Sequence, residues 1–155
     1  MRSFRRDAKI GGVVLAALLL AAQVFRIEKT NPPVLSDIQA HPSVKNVLKR
    51  SCYDCHSNET VWPWYANVAP MSWLIANDVN GGRKHLNFSE WGSYDSYDQV
   101  KLLKEILEEV GEGEMPLWYY SLAHPESRLG PDDLNRLKAW VSAAVEGDDR
   151  MPQIP

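Results

Sequence analysis

Residues 52–56 read Cys52-Tyr53-Asp54-Cys55-His56, a stretch that contains the only two cysteines of the 155-residue chain. Two thiols three positions apart, followed at once by an imidazole, form the C-x-x-C-H pattern of covalent haem c attachment. On a helix, positions i, i+3 and i+4 share a face. Cys52 and Cys55 can then form thioethers to the two vinyl groups of one haem while His56 ligates its iron. A shuffled chain of this composition would produce the string roughly three times in ten thousand, so coincidence is set aside. A thioredoxin-like redox pair would sit beside a strand–helix–strand pattern, and none flanks it. A structural zinc site takes four ligands, and His41, His85 and His124 show no paired spacing that would complete one.

Outward from that string, charge divides the chain. Residues 1–29 carry six basic and two acidic side chains, whereas residues 30–155 carry 11 basic and 18 acidic. A domain this acidic repels nucleic-acid phosphates, which excludes nucleic acid as a partner. At the amino terminus Arg2, Arg5, Arg6 and Lys9 precede an apolar run, Ile10 to Phe25. Positive charge ahead of an apolar segment directs the downstream chain across a membrane. As a helix the run would rise about 24 Å, short of a ~30 Å hydrocarbon core. That length is ambiguous between a cleaved signal and a retained anchor. Leu20-Ala21-Ala22 is a poor cleavage site, and Arg26 and Lys29 can snorkel at the far face, so a retained anchor is preferred. The domain is then expected outside the cytoplasm, in the periplasm, either held to the inner membrane by this single helix or released after cleavage.

The expected organisation is a signal or anchor segment over 1–29, a linker over 30–35, a haem-binding domain over 36–148 and a tail over 149–155. Thr30-Asn31-Pro32-Pro33 reads as an extended exit from the membrane. Val44, Val47 and Leu48 give a helix leading into the cysteine string. Trp62-Pro63-Trp64-Tyr65 is too aromatic and proline-broken for a regular element. Pro70 opens a second helix through Trp73, Leu74 and Ile75 that is expected to end near Gly81-Gly82. Residues 85–95 read as a loop carrying Phe88 and Trp91. Ser96-Tyr97-Asp98-Gln99 reads as a capping-box start, with an apolar stripe of Val100, Leu103, Leu107 and Val110 closed by Gly111 and Gly113. Gly130-Pro131-Asp132-Asp133 opens the last helix, whose buried face is Leu134, Leu137, Val141 and Ala144 beside Trp140. No stretch alternates as a strand, so the fold class expected is all-α.

A haem iron with a proximal histidine needs its other side accounted for. Met115, in Gly111-Glu112-Gly113-Glu114-Met115-Pro116 between two helices, is the preferred sixth ligand. Its thioether is a soft donor that favours ferrous iron and raises the potential. The glycines let the backbone approach a cofactor, and Pro116 stiffens the exit. The competing use is core filling, the role expected of Met71. His124, before Pro125 and near Trp118-Tyr119-Tyr120, is the rival ligand. His85 is expected to be a loop residue, and His41, before a proline, lies too near the proximal side to be favoured. The tryptophans are expected to wall the cofactor, with indole N–H groups and Arg83 or Lys84 available to its propionates. Asp98, Glu105, Glu108 and Glu109 form an acidic run, expected to be a solvated face that could attract a basic redox partner.

Several segments then carry a family resemblance. Cys52–Ser57, Trp62-Pro63-Trp64-Tyr65, Ala69-Pro70-Met71-Ser72-Trp73, Gly82-Arg83, Leu86-Asn87-Phe88-Ser89-Glu90-Trp91 and Gly113-Glu114-Met115-Pro116 together resemble the bacterial haem-binding domain proteins, which are similar to cytochromes c. The resemblance covers roughly residues 30–145. It implies Cys52 and Cys55 as attachment points, His56 as proximal ligand, and a distal ligand at Met115 by its Met-Pro pattern. It also implies a terminal helix around Trp140 that packs on haem. The function expected is one-electron transfer by a single-haem c-type cytochrome with an unidentified redox partner and no catalysis. The alternatives are a haem-based sensor or small-ligand module, which needs Met115 off the iron, and, less favoured, a peroxidase-type enzyme using His124.

Overall fold

The structure, a computed structural model, describes residues 2–147, and the tail expected over 149–155 lies outside the described residues. Among the described residues seven α-helices run in order, α1 (Arg2–Ala22), α2 (Pro42–Ser51), α3 (Tyr53–His56), α4 (Met71–His85), α5 (Ser96–Glu112), α6 (Trp118–Ala123) and α7 (Pro131–Val145). Short 3₁₀ turns cover Trp64–Asn67, Trp91–Ser93 and Pro125–Ser127. Those residues contain no strand, only a single bridge between Ser36 and Glu90. The all-α expectation holds.

The core forms where α7 packs on both α2 and α5. Its cluster holds Val44, Val47 and Leu48 of α2, Leu102, Leu103, Ile106 and Val110 of α5 and Leu137, Trp140 and Val141 of α7. Each such side chain removed from water contributes about 1.5–3 kcal/mol, so this three-helix seam is the main source of stability. The α5 stripe differs from the expected one. Leu102 and Ile106 replace Val100 and Leu107, which are only partly buried. The cap also shifts by one residue. Asp95, not Ser96, accepts the backbone N–H of Asp98 at 2.8 Å. Gly113 ends α5 in the left-handed region at φ 79°, where a side chain would be strained. In α7 the carboxylate of Asp133 accepts the N–H of Gly130 at 3.0 Å, as its opening sequence requires.

Two further expectations are corrected. The pair Gly81-Gly82 does not end α4, which runs on to His85. A Cβ on Gly82 would stand 2.5 Å from the carbonyl oxygen of Cys55, so this glycine marks a close approach of two helices rather than a stop. The stretch after Pro116 contains a helix, α6, that the aromatic cluster concealed. The segment 30–35 is tied down along its length. Arg83 donates to Thr30 O at 2.8 Å and to Asn31 Oδ1 at 2.9 Å, and Leu35 N–H donates to Ser89 O at 3.0 Å.

The amino-terminal expectation meets a different object. Among the described residues no helix is long and apolar enough to cross a membrane. The physical reason lies at both ends of α1. Charged Arg6, Asp7 and Lys9 occupy its early turns, and the helix stops at Ala22, three residues before the apolar run does. Ile10 to Ala21 are exposed, Val13 at 70% and Leu20 at 73%. Just past the end of α1 the chain meets the domain. The Gln23 side chain accepts from Ala69 N–H at 3.0 Å and donates to Ala69 O at 3.1 Å.

Candidate functional site

The cysteine string folds as a tight helical turn. Cys52 closes α2 and opens α3, and its carbonyl accepts the N–H groups of Cys55 at 3.2 Å and His56 at 2.9 Å. Both cysteines are free. Burial pushes each thiol up to about 12, helped by the neighbouring Cys55 for Cys52 and by Asp78 and Asp54 for Cys55. Both therefore remain protonated near neutrality. A redox pair needs a lowered thiol pKa to supply thiolate, so this environment opposes that use.

His56 is held from the other side by the end of α4. Its Nδ1 lies 3.1 Å from both Gly82 O and Leu86 O. A carbonyl oxygen can only accept, so Nδ1 carries the proton and donates. Burial lowers the pKa of the ring, against the upward pull of those two carbonyls, and keeps it neutral. The Nε2 lone pair is then left for a metal, with the ring fixed by its second hydrogen bond. Phe88 completes the cradle. Its N–H donates to His56 O at 2.8 Å, its ring meets His56 edge-on, and it stacks on Tyr53 with centroids 5.2 Å apart.

Cys52, Cys55 and His56 open together onto a cavity of about 370 Å³. Its walls include Gly81, Gly82, His85 and Leu86 from the α4 end, Leu102, Glu105, Ile106, Glu109 and Val110 from α5, and Met115, Pro116 and Leu117 beyond it. The structure thus brings Met115 to the same cavity as the cysteine string, although nearly sixty residues separate them. The turn at Gly113 delivers it there. Glu114 N–H and Met115 N–H both donate to Glu109 O, at 3.0 and 3.2 Å, which folds the loop back onto the end of α5.

His124 stands elsewhere. Its Nε2 is 2.6 Å from the Tyr65 hydroxyl, its Nδ1 is 3.3 Å from Glu126 Oε1, and its ring stacks on Tyr120 at 4.6 Å. It lines a second cavity of about 340 Å³ with Tyr65, Met71, Leu74 and Tyr119, which shares Asp54, Cys55, Asp78, Leu117 and Tyr120 with the first. Met71 lines that second space and is 42% exposed, so the expected core role is not what it has. His41 caps α2 by accepting Ser43 N–H, and His85 pairs with Glu105 at 3.2 Å.

Other expectations about the cofactor walls change as well. Arg83 does not point a free guanidinium at a propionate. Its nitrogens donate to Ser57 O at 2.6 Å, Thr60 Oγ1 at 2.7 Å, Thr30 O and Asn31 Oδ1, which ties α4 to two distant segments. The indoles of Trp62 and Trp73 donate to Asn31 Oδ1 and Phe25 O. Trp140 is buried in the α5–α7 seam and is not among the cavity walls. The acidic run is not wholly a solvated face, since Glu105 and Glu109 reach the cavity rim. What sequence reasoning missed entirely is the pair of backbone carbonyls at Gly82 and Leu86. The segment 86–91 signals them only indirectly, through the buried hydrogen bonds of Asn87 and Ser89 to Asn58 that fix its path.

The donor set fits haem better than a bare ion. Among the described residues no group of three or more His, Cys, Asp or Glu side chains could hold a metal ion. One imidazole and one thioether suit an iron whose other four ligands come from a macrocycle. The Ser51 hydroxyl, buried at the cavity wall without a hydrogen-bond partner, is a polar atom left for whatever fills the space.

Comparison with known proteins agrees with that fit. No curated protein and no solved structure matches this chain. A family model described as a haem-binding domain matches residues 17–143, a span that holds the cysteine string, the α4 end that orients His56, and the Met115 loop. With most of its length inside that match, the chain belongs to the haem-binding domain family.

Proposed function

We propose that this is a c-type cytochrome domain that carries single electrons, exported from the cytoplasm and held to a membrane by α1. The observation that carries the reading is the oriented His56. Its Nδ1–H is taken by two carbonyls, and its remaining nitrogen shares one cavity with both thiols and Met115. Cys52 and Cys55 would attach haem by adding across its two vinyl double bonds, one carbon–sulfur bond per thiol with the thiol hydrogen passing to the other vinyl carbon, so that no oxidant is needed. When bound, the group would supply one-electron chemistry at its iron.

The residues of this chain do the rest. Cys52 and Cys55 would hold haem covalently, and His56, oriented by the carbonyls of Gly82 and Leu86, would ligate its iron. Met115 would supply a second ligand whose soft sulfur favours the ferrous state. Leu86, Phe88, Leu102 and Ile106 line the cavity and would keep water from the group. An imidazole and a thioether both committed to the iron would leave no open position for a substrate, which is why an electron carrier is preferred to an enzyme. A peroxidase would want an acid/base side chain over the iron, and His124 is committed to Tyr65 and Glu126 outside that cavity. Export is supported by the basic residues that precede the exposed apolar part of α1.

Protein matured in a host with haem c assembly machinery should keep its haem through acid–acetone extraction. The oxidised form should show the long-wavelength absorption band of an iron–thioether bond and should not bind carbon monoxide when reduced. Haem released into the acetone would overturn covalent attachment. Ready carbon monoxide binding would replace the carrier reading with a ligand-binding one.

A further inference from the structure

Ile10 to Ala21 of α1 are exposed, yet the apolar part of the helix, Ile10 to Ala22, rises only about 20 Å against a ~30 Å hydrocarbon core. Where it ends, it is clasped to the domain. Gln23 exchanges two hydrogen bonds with Ala69, and the Trp73 indole donates to Phe25 O at 2.9 Å. That clasp puts the 64–73 segment at the level where α1 stops. The side chains there are apolar and exposed: Val24 79%, Phe25 71%, Trp64 77%, Val68 45% and Met71 42%. Lys29 reaches Asn67 at the same level, and Arg26 lies three residues before it in sequence.

We infer that this rim is a membrane-docking face, sunk into the headgroup boundary so that it makes up the shortfall of α1. The occupant is a lipid bilayer, a choice that rests on the proposal that α1 enters one. Three features favour lipid over a protein partner. The rim continues directly from an exposed apolar helix with no protein cover. A tryptophan with one apolar face and one polar edge is suited to interfacial depth. Arg26 and Lys29 supply positive charge where anionic headgroups would lie. A helix too short for the bilayer is relieved by drawing flanking apolar groups inward, and here those groups come from the folded domain. The haem cavity would then be held at a fixed height above the membrane rather than on a free tether.

The test uses the full-length holoprotein in vesicles of phosphatidylcholine and phosphatidylglycerol, with and without bromine on the lipid chains. Bromolipid should quench tryptophan emission, and Trp64→Phe should lower that quenching, whereas Trp91→Phe should leave it. A double variant, Trp64→Glu with Val68→Glu, should move a large share of the protein from the membrane pellet to the supernatant on alkaline carbonate extraction. Protein that floats with the vesicles yet shows the same quenching in Trp64→Phe as in wild type overturns the docking face while leaving the anchor intact. Protein that does not float at all overturns the anchor itself.

Discussion

The turn that carries His56 and the corner that carries His124 use the same side chain in two ways. At the turn, both hydrogen-bond partners are backbone carbonyls, and both fall on Nδ1. One nitrogen is spent on orientation and the other is kept. At the corner the two nitrogens are spent separately, on the Tyr65 hydroxyl and the Glu126 carboxylate, and the ring face is covered by Tyr120. Nothing remains there for a metal without breaking a contact. The difference shows that a histidine suited to ligate a metal is marked less by its burial than by which of its atoms the fold leaves idle.

The comparison breaks most visibly at the turn. His56→Ala should abolish stable haem incorporation, and Cys52→Ala with Cys55→Ala should abolish covalent attachment, read by haem staining on denaturing gels. If the doubly substituted protein still carries haem through denaturation, the thiols are not the attachment points. At the corner, His124→Ala should leave haem content and the oxidised spectrum close to wild type.

Met115→Ala sharpens the same contrast from the opposite wall. Haem should stay attached while the sixth position opens, so the reduced variant should bind carbon monoxide. The reduction potential should fall, because ferrous iron loses more from a missing soft ligand than ferric iron does. A variant that keeps the wild-type potential and spectrum would show that Met115 only fills space. Should His124→Ala change the ligation instead, the two regions exchange roles.

A pair of adjacent glycines offers a smaller but cleaner contrast. Gly82→Ala would place a Cβ 2.5 Å from Cys55 O and 3.0 Å from its carbonyl carbon, both backbone atoms that cannot yield cheaply. The expected cost is about 1–3 kcal/mol, with weaker haem retention because the Gly82 carbonyl also orients His56. Gly81→Ala meets nothing within 4 Å and should stabilise α4 by about 0.5–1 kcal/mol. Equal effects in denaturant titrations would mean that the helix approach is not tight.

These contrasts also explain what could be read in advance. What the sequence made legible is placement: Cys52, Cys55 and His56, three and four apart, share one short turn, and Met115 leaves a glycine-ended helix onto the same cavity. The carbonyls of Gly82 and Leu86 were not legible, since a backbone oxygen has no residue signature. Gly82 was misread as a stop for the same reason: its absent side chain answers to Cys55 across space, not to its neighbours in sequence. Arg83 looked free because nothing local shows that acceptors from two distant segments converge on it. In α5 the period was right and the face was off by part of a turn, because Val100 and Leu102 are equally apolar and only α2 and α7 decide between them. At the amino terminus, apolar composition could not reveal that the helix stops at Ala22, where Gln23 turns to clasp Ala69.

The smallest expected effect tests whether the His124 corner is built for rigidity. There the tyrosines donate to carboxylates, Tyr120 to Asp54 at 2.8 Å and Tyr119 to Asp78 at 3.0 Å. Burial first, and then the Asp78 carboxylate, push the Tyr119 phenol up to about 12. In the unfolded chain a tyrosine ionises near its ordinary value of about 10. The hydroxyl's contribution to stability is therefore present in full below pH ~10 and is lost as pH rises toward the folded-state value. Tyr119→Phe should cost about 1 kcal/mol or less at pH 7. Between pH ~10 and ~12 the gap between wild type and variant should close, since the wild type loses what the variant never had. Chemical denaturation at a series of alkaline pH values measures that gap. A difference that stays constant across the range would mean that the Tyr119 hydroxyl is solvated rather than held by Asp78, and that the corner owes its shape to ring stacking alone.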